Sequence, residues 1–270
     1  MNELQKAEFQ LLELFVDVCK RLNLNYYLVC GSALGAVKYK GFIPWDDDID
    51  VALPRPDYER FIREAHSFLP ENVFLQNFHT EPKLPCIYSK LRNSNTTYIE
   101  KSASKLKINH GVFIDVFPLD GYPKTKIKQK VFEIKKKLYT NFLGTAYLEP
   151  KELKSKIIYK IKLLFGIDKR ILKYTQKYDK LVKKYDISDS ELLCNHCNWQ
   201  GRLEYAPKSQ YGNAALAEFE GLMVRIPEHC HEYLSQKYGD YLADLPDDEK
   251  YGHHCCTVCD LKKTYKEYIK

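Results

Sequence analysis

Four aspartates crowd one short stretch of this sequence: Asp46, Asp47, Asp48 and Asp50, in the run IPWDDDIDVALP. Asp48 and Asp50 alternate with Ile49 and Val51, the pattern of a half-buried strand with its carboxylates on one face and its apolar residues on the other. Two carboxylates on one face, about 7 Å apart at the backbone, repel each other unless a cation sits between them. Hard oxygen ligands of this kind suit Mg²⁺ or Mn²⁺, which bind through one or two carboxylates together with substrate phosphates. Asp46 and Asp47 are explained as well by a solvated loop or a helix cap. A solvated loop explains Asp48-Ile-Asp50-Val poorly, because Ile49 and Val51 mark a strand.

Upstream, the apolar run Tyr26 to Cys30 reads as a short buried strand, followed by Gly31-Ser32 and a small-residue helix over Ala33 to Tyr39. Gly31 lets the backbone approach a phosphate, and Ser32 places a hydroxyl near a helix N-terminus, where anions are favoured. Downstream, Gly111 to Pro118, GVFIDVFP, is a strand with a single carboxylate, Asp115, between Ile and Val. Buried alone that charge is costly; hydrogen bonds to backbone or a metal shared with Asp48 and Asp50 would each relieve it. Asp120, in LDGYP, reads as a turn residue. In Tyr88-Ser-Lys-Leu-Arg92, Lys90 and Arg92 share a strand face, either as a charged edge or as cations for a diphosphate.

The elements that must position these groups are legible in outline. Leu4, Leu11, Phe15, Val18 and Leu22 give an N-terminal amphipathic helix that stops near Asn23. Arg55-Pro56-Asp57 opens a second helix reaching Phe68, with Tyr58, Phe61, Ile62 and Ala65 as its buried stripe. Strands follow at Val73 to Phe78 and Cys86 to Leu91. Glu218 to Pro227 reads as a hairpin around Gly221, and Glu228 to Tyr238 as a helix capped by Gly239.

These motifs resemble the LicD family. GSALGAVKYKGFIPWDDDIDVALPRPDYERF carries most of the likeness. KLRNSNTTYIE, FIDVFPLDGYP, EFEGLMVRIP and YLSQKYGDYLADLP continue it to near the C-terminus. The resemblance implies an α/β fold: a nucleotidyltransferase-like small mixed sheet flanked by helices, with a lysine-rich helical insertion. It implies an enzyme that moves phosphocholine, or a similar phospho-alcohol, from a CDP-activated donor to a glycan or lipid-linked glycan acceptor, releasing CMP. Asp115 falls where the superfamily's third carboxylate is expected, so Asp48, Asp50 and Asp115 become the expected ligands of Mg²⁺ or Mn²⁺. Gly31, Ser32, Lys90 and Arg92 become the expected phosphate contacts, and the pair His253-His254 a general base, a metal ligand or a substrate contact. A nucleotidyltransferase releasing pyrophosphate and a non-enzymatic adaptor are the competing readings.

Three regions are expected: a catalytic core over 1–123, a basic helical insertion over 124–206, and a C-terminal hairpin and helix over 207–270 that return to the core. Residues 124–184 hold nineteen Lys plus Arg against five Asp plus Glu, a local charge of +14 in a chain whose net charge is +6. Leu153, Ile157, Ile158, Ile161, Leu164 and Phe165 keep helical spacing, with breaks expected near Gly144 and Gly166. Such helices are either ordinary ones with a solvated lysine face or a surface for anionic membrane; no nucleic-acid reader motif accompanies the charge.

Charge interrupts the N-terminal residues and every long apolar run, so neither a signal peptide nor a membrane span is expected. The expected location is cytoplasmic, peripheral at the inner face of the membrane. The nine cysteines are expected to be reduced. Cys194, Cys197, Cys255, Cys256 and Cys259 offer the residue types of a structural Zn²⁺ site, and buried uncoordinated thiols explain them equally well.

Overall fold

The computed structural model describes residues 1–147, 170–197, 201–252 and 255–269. It begins with helix α1 (Glu3–Arg21), whose start is fixed by a capping box between Asn2 and Gln5. Leu11, Leu12, Phe15, Val18 and Cys19 form its buried face, and Asn23, at φ 51°, ends it in the left-handed region.

A seven-stranded mixed sheet is the frame. Strand β1 (Tyr27–Leu28) leads into helix α2 (Cys30–Tyr39), then β2 (Asp50–Pro54) and helix α3 (Arg55–Glu64). Strands β3 (Val73–Gln76), β4 (Ser89–Asn93), β5 (Thr97–Glu100) and β6 (Val112–Gly121) follow. The spatial order is β1-β2-β6-β4-β3. Only β2 and β6 run parallel; the other neighbours along this path are antiparallel. Every residue of β6 is buried, as expected for a central strand covered on both faces.

Helix α4 (Lys126–Tyr147) and helix α5 (Ile171–Val182) pack on each other. They share a smaller core of Phe132, Leu143, Tyr178 and Val182, with Ile87. Strand β7 (Leu192–Cys194) pairs with the far end of β6, and β8 (Tyr205–Pro207) pairs with β7. A single helical turn, α6 (Lys208–Tyr211), leads to the hairpin β9 (Ala215–Phe219) and β10 (Leu222–Ile226). Glu220 and Gly221, at φ 51° and 85°, make the tight turn between them. Helix α7 (Cys230–Tyr238) packs on α2, and β11 (Cys256–Asp260) pairs with β5. Among the described residues no helix is long and apolar enough to cross a membrane.

The α/β expectation holds, with local corrections. The Asp-bearing strand starts only at Asp50, so Asp48 lies on the loop before it. Helix α2 begins at Cys30 and takes Gly31-Ser32 into its first turn. Helix α4 passes through Gly144 without a break. The end of the 124–206 span adds β7 and most of β8 to the sheet, so it is not wholly helical. Asp120 is not a turn residue: it lies in β6, 1% exposed, and accepts from Arg55 Nη2 at 2.6 Å and Arg55 Nε at 2.7 Å. Gly166 and the apolar stripe from Leu153 to Phe165 lie outside the described residues.

Candidate active site

The parallel pairing of β2 and β6 sets Asp50 directly beside Asp115. Side chains at equivalent positions of neighbouring strands share a sheet face, so two aspartates 65 residues apart in sequence point to one side. Asp115 N–H donates to Ile49 O at 2.8 Å, locking that register. Both carboxylates line a cavity of about 630 Å³, together with Asp46, Asp48, Gly31 and Cys30. The sequence-predicted Asp48, Asp50 and Asp115 all line this one cavity, while among the described residues the acidic group whose oxygens lie within 4.8 Å of one another is Asp46, Asp47 and Asp48.

Helix α2 aims its N-terminus at this cavity. Its N-cap, Val29, supplies no side-chain cap, and the first turn holds no acidic residue, so the positive end of the helix faces the carboxylates and any phosphate beside them. A Cβ on Gly31 would stand 3.0 Å from Asp46 Oδ2, so glycine is what lets the acidic loop approach the helix. Ser32 behaves differently from the expectation. It is buried, and its Oγ accepts a 2.8 Å hydrogen bond from Asp50 N–H, which ties the helix start to the strand. Burial first, then the charge of Asp50, pushes the Cys30 thiol well above its usual value, and a protonated thiol is no nucleophile.

Lys90 and Arg92 are buried beneath the site. Lys90 faces Asp115 across the β4–β6 pairing and holds it at 2.9 Å, with Glu100 at 3.5 Å and the Phe113 ring under its ammonium. Arg92 bonds to Gln76, Gly111 O and Glu100. Neither lines the cavity; Lys90 reaches it through Asp115, whereas Arg92 cross-links the sheet.

Asp46 is the residue that sequence reasoning missed. The side chain of Gln5 donates to Asp46 O at 3.0 Å and to Ile43 O at 3.4 Å, pinning the loop so that Asp46 turns inward. Burial, then repulsion from Asp48 and Asp47, raises its carboxyl to about 8. Carboxylate oxygens of Asp46, Asp47 and Asp48 all lie within 4.8 Å of one another. Asp47 turns away from the cavity toward Tyr98 and Gly252. This donor set fits a divalent cation: half-buried carboxylates this close repel one another when ionised unless a countercharge joins them, and hard oxygens are what Mg²⁺ or Mn²⁺ prefers.

Aromatic and C-terminal residues complete the walls: Tyr39, Trp45, Tyr88, Phe117, Tyr238 and Tyr241. Lys38 ties helix α2 to the segment after α7, donating to Ala243 O at 2.8 Å and pairing with Asp244 at 3.1 Å. These contacts hold the segment after α7 against α2. His253 and His254 lie outside the described residues.

Among the described residues the cysteines form no ligand cluster. Cys194 is buried on β7, Cys197 lies at the cavity wall, and Cys255, Cys256 and Cys259 are exposed on or beside β11. Between the first two, His196 is fully enclosed by Tyr122, Phe132 and Tyr205, and burial lowers its proton affinity to about 3.

Residues 23–152 match the family model described as LicD/FKTN/FKRP, nucleotidyltransferase domain. The lipopolysaccharide cholinephosphotransferase LicD of Haemophilus influenzae is 28% identical across 94% of this chain and 96% of its own length. Uncharacterised proteins of Rickettsia typhi and Rickettsia prowazekii are 34% and 35% identical over short stretches, 20% and 18% of this chain and 17% and 18% of their own lengths.

Proposed function

The chain belongs to the LicD family, and from that premise we propose that it transfers phosphocholine from a CDP-activated donor to a hydroxyl of a glycan, releasing CMP. The observation that carries this reading is the convergence of Asp48, Asp50 and Asp115 on one cavity at the N-terminus of α2. A divalent cation held by these carboxylates, with Asp46 adjoining, would neutralise the donor diphosphate and the charge that develops on the leaving phosphate.

The chain's own residues do the rest. The first turn of α2 favours the phosphates by its dipole, and Gly31 leaves room for the acidic loop beside them. Lys90 fixes the direction of the Asp115 carboxylate. Asp46 adjoins the other carboxylates, and burial with the charge of Asp48 and Asp47 raises its carboxyl to about 8, a rise that a cation among them would reverse. The aromatic walls offer faces to a base or a quaternary ammonium.

The test is to incubate the protein with Mg²⁺ and a glycan acceptor, with either CDP-choline or CTP, and measure CMP and pyrophosphate. CMP release from CDP-choline that stops on chelation supports the proposal. Consumption of CTP with pyrophosphate release would replace it with nucleotidyl transfer, and metal-independent turnover would remove the role given to the carboxylates.

A further inference from the structure

We infer that the outward face of helix α4 is a docking surface for an anionic lipid bilayer, a property separate from the transfer reaction. The helix has two apolar seams of identical spacing. Phe132, Lys136, Tyr139 and Leu143 face the protein, with Phe132 and Leu143 buried and the Lys136 stem held beside Tyr205. Ile127, Val131, Ile134 and Leu138 repeat that spacing five residues earlier, about 140° round the helix axis. They are 78%, 47%, 62% and 65% exposed. Four large aliphatic side chains in one row on solvent form a contiguous patch rather than scattered surface apolars.

Charge identifies the occupant. Lys128 and Lys135 follow Ile127 and Ile134 by one residue, and Lys130 and Lys137 follow them by three, so exposed lysines line both sides of the row. Glu133, the helix's one acidic residue, is turned inward, where it accepts from the hydroxyls of Tyr122 and Tyr205. An apolar ridge between two lysine rows, with no acid on its flanks, matches a helix lying in a bilayer interface: aliphatic tips among the acyl chains, ammonium groups on the phosphates. A second copy of this chain would set lysine rows against lysine rows. Residues 148–169, with six lysines against three acidic residues in sequence, carry the same sign.

The test is co-sedimentation of the full chain with vesicles of phosphatidylcholine alone or with roughly 30 mol % phosphatidylglycerol, since each basic residue near an anionic surface contributes about fivefold in partition. Wild type should pellet with the anionic vesicles and stay in solution with the neutral ones. Ile134→Ser/Leu138→Ser and Lys130→Gln/Lys137→Gln should each lower the partition about tenfold or more, with circular dichroism and CMP release from the donor onto a soluble acceptor unchanged. Equal binding to both vesicle types, or unaltered binding by the serine variant, overturns the inference. So does a dimer in light scattering that the serine variant abolishes, because a second copy would then cover the face. Slow maleimide labelling of Leu138→Cys in vesicle-free protein, read on its own peptide by mass spectrometry, would show the chain covering itself and would equally overturn it.

Discussion

Strand β6 carries two buried aspartates five residues apart, and they live opposite lives. Asp120 is closed off: Arg55 grips both of its oxygens and also reaches Glu59 and Asp179, which Lys183 holds as well. Asp115 has Lys90 on one flank, and on the other it opens into a cavity where Asp46, Asp48 and Asp50 add like charge. A buried carboxylate that is fully matched serves folding. One placed among its own kind at a cavity wall is a seat for something the protein must bind.

Substitutions can break this contrast at either end. Asp50→Asn should lower turnover on the order of 10²- to 10³-fold while the melting temperature stays near wild type, and Asp115→Asn should lower turnover as much and also melt lower, because it breaks the buried pair with Lys90; CMP release and calorimetry would measure both. Arg55→Met should do the reverse, costing about 3–5 kcal/mol of stability because it leaves Asp120 charged and alone; denaturant titration reads the loss, and the folded fraction should keep its turnover number. Adding Asp120→Leu should recover most of that stability, and failure to recover would show that Asp120 does more than match Arg55.

Lys90→Met sharpens the comparison, since Lys90 belongs to both worlds. It should weaken metal affinity or turnover about 10- to 100-fold, the usual cost of losing a group that orients a metal ligand. Asp46→Asn gives the smallest effect on the fold and the clearest pH signature. In the metal-free protein the folded state holds that proton up to about 8, against an ordinary 3.8. Folding takes up a proton between those values, so stability is full below about pH 4 and falls as pH rises toward 8. The asparagine variant should flatten that fall and melt higher at pH 8, by about 2–4 °C for each kcal/mol relieved.

Much of this was legible in the chain. Alternation from Asp50 onward and in Val112–Pro118 marked the two strands that set Asp50 beside Asp115, because a period of two survives without knowledge of partners, although it carried Asp48 into a strand that begins only at Asp50. What the sequence concealed depends on contacts from far away. Asp46 turns inward because Gln5, forty-one residues earlier, holds its carbonyl. Asp120 reads as a turn because nothing near it announces Arg55. Ser32 and Arg92 carried the right chemistry, yet Ser32 Oγ already accepts from Asp50 N–H, and Arg92 donates to Gln76, Gly111 and Glu100. Local pattern reveals which face a residue takes, whereas only the assembled fold reveals whether its polar atoms are already engaged.

Titration of the purified protein with Mn²⁺, followed by the electron spin resonance of free ion in wild type and in Asp115→Asn, reaches the central claim without relying on turnover. If Asp115 shares one ion with Asp48 and Asp50, the variant should bind about 10- to 100-fold more weakly at that site while remaining folded. Binding of equal strength in both proteins would contradict the account, leaving Asp115 a partner of Lys90 and nothing more.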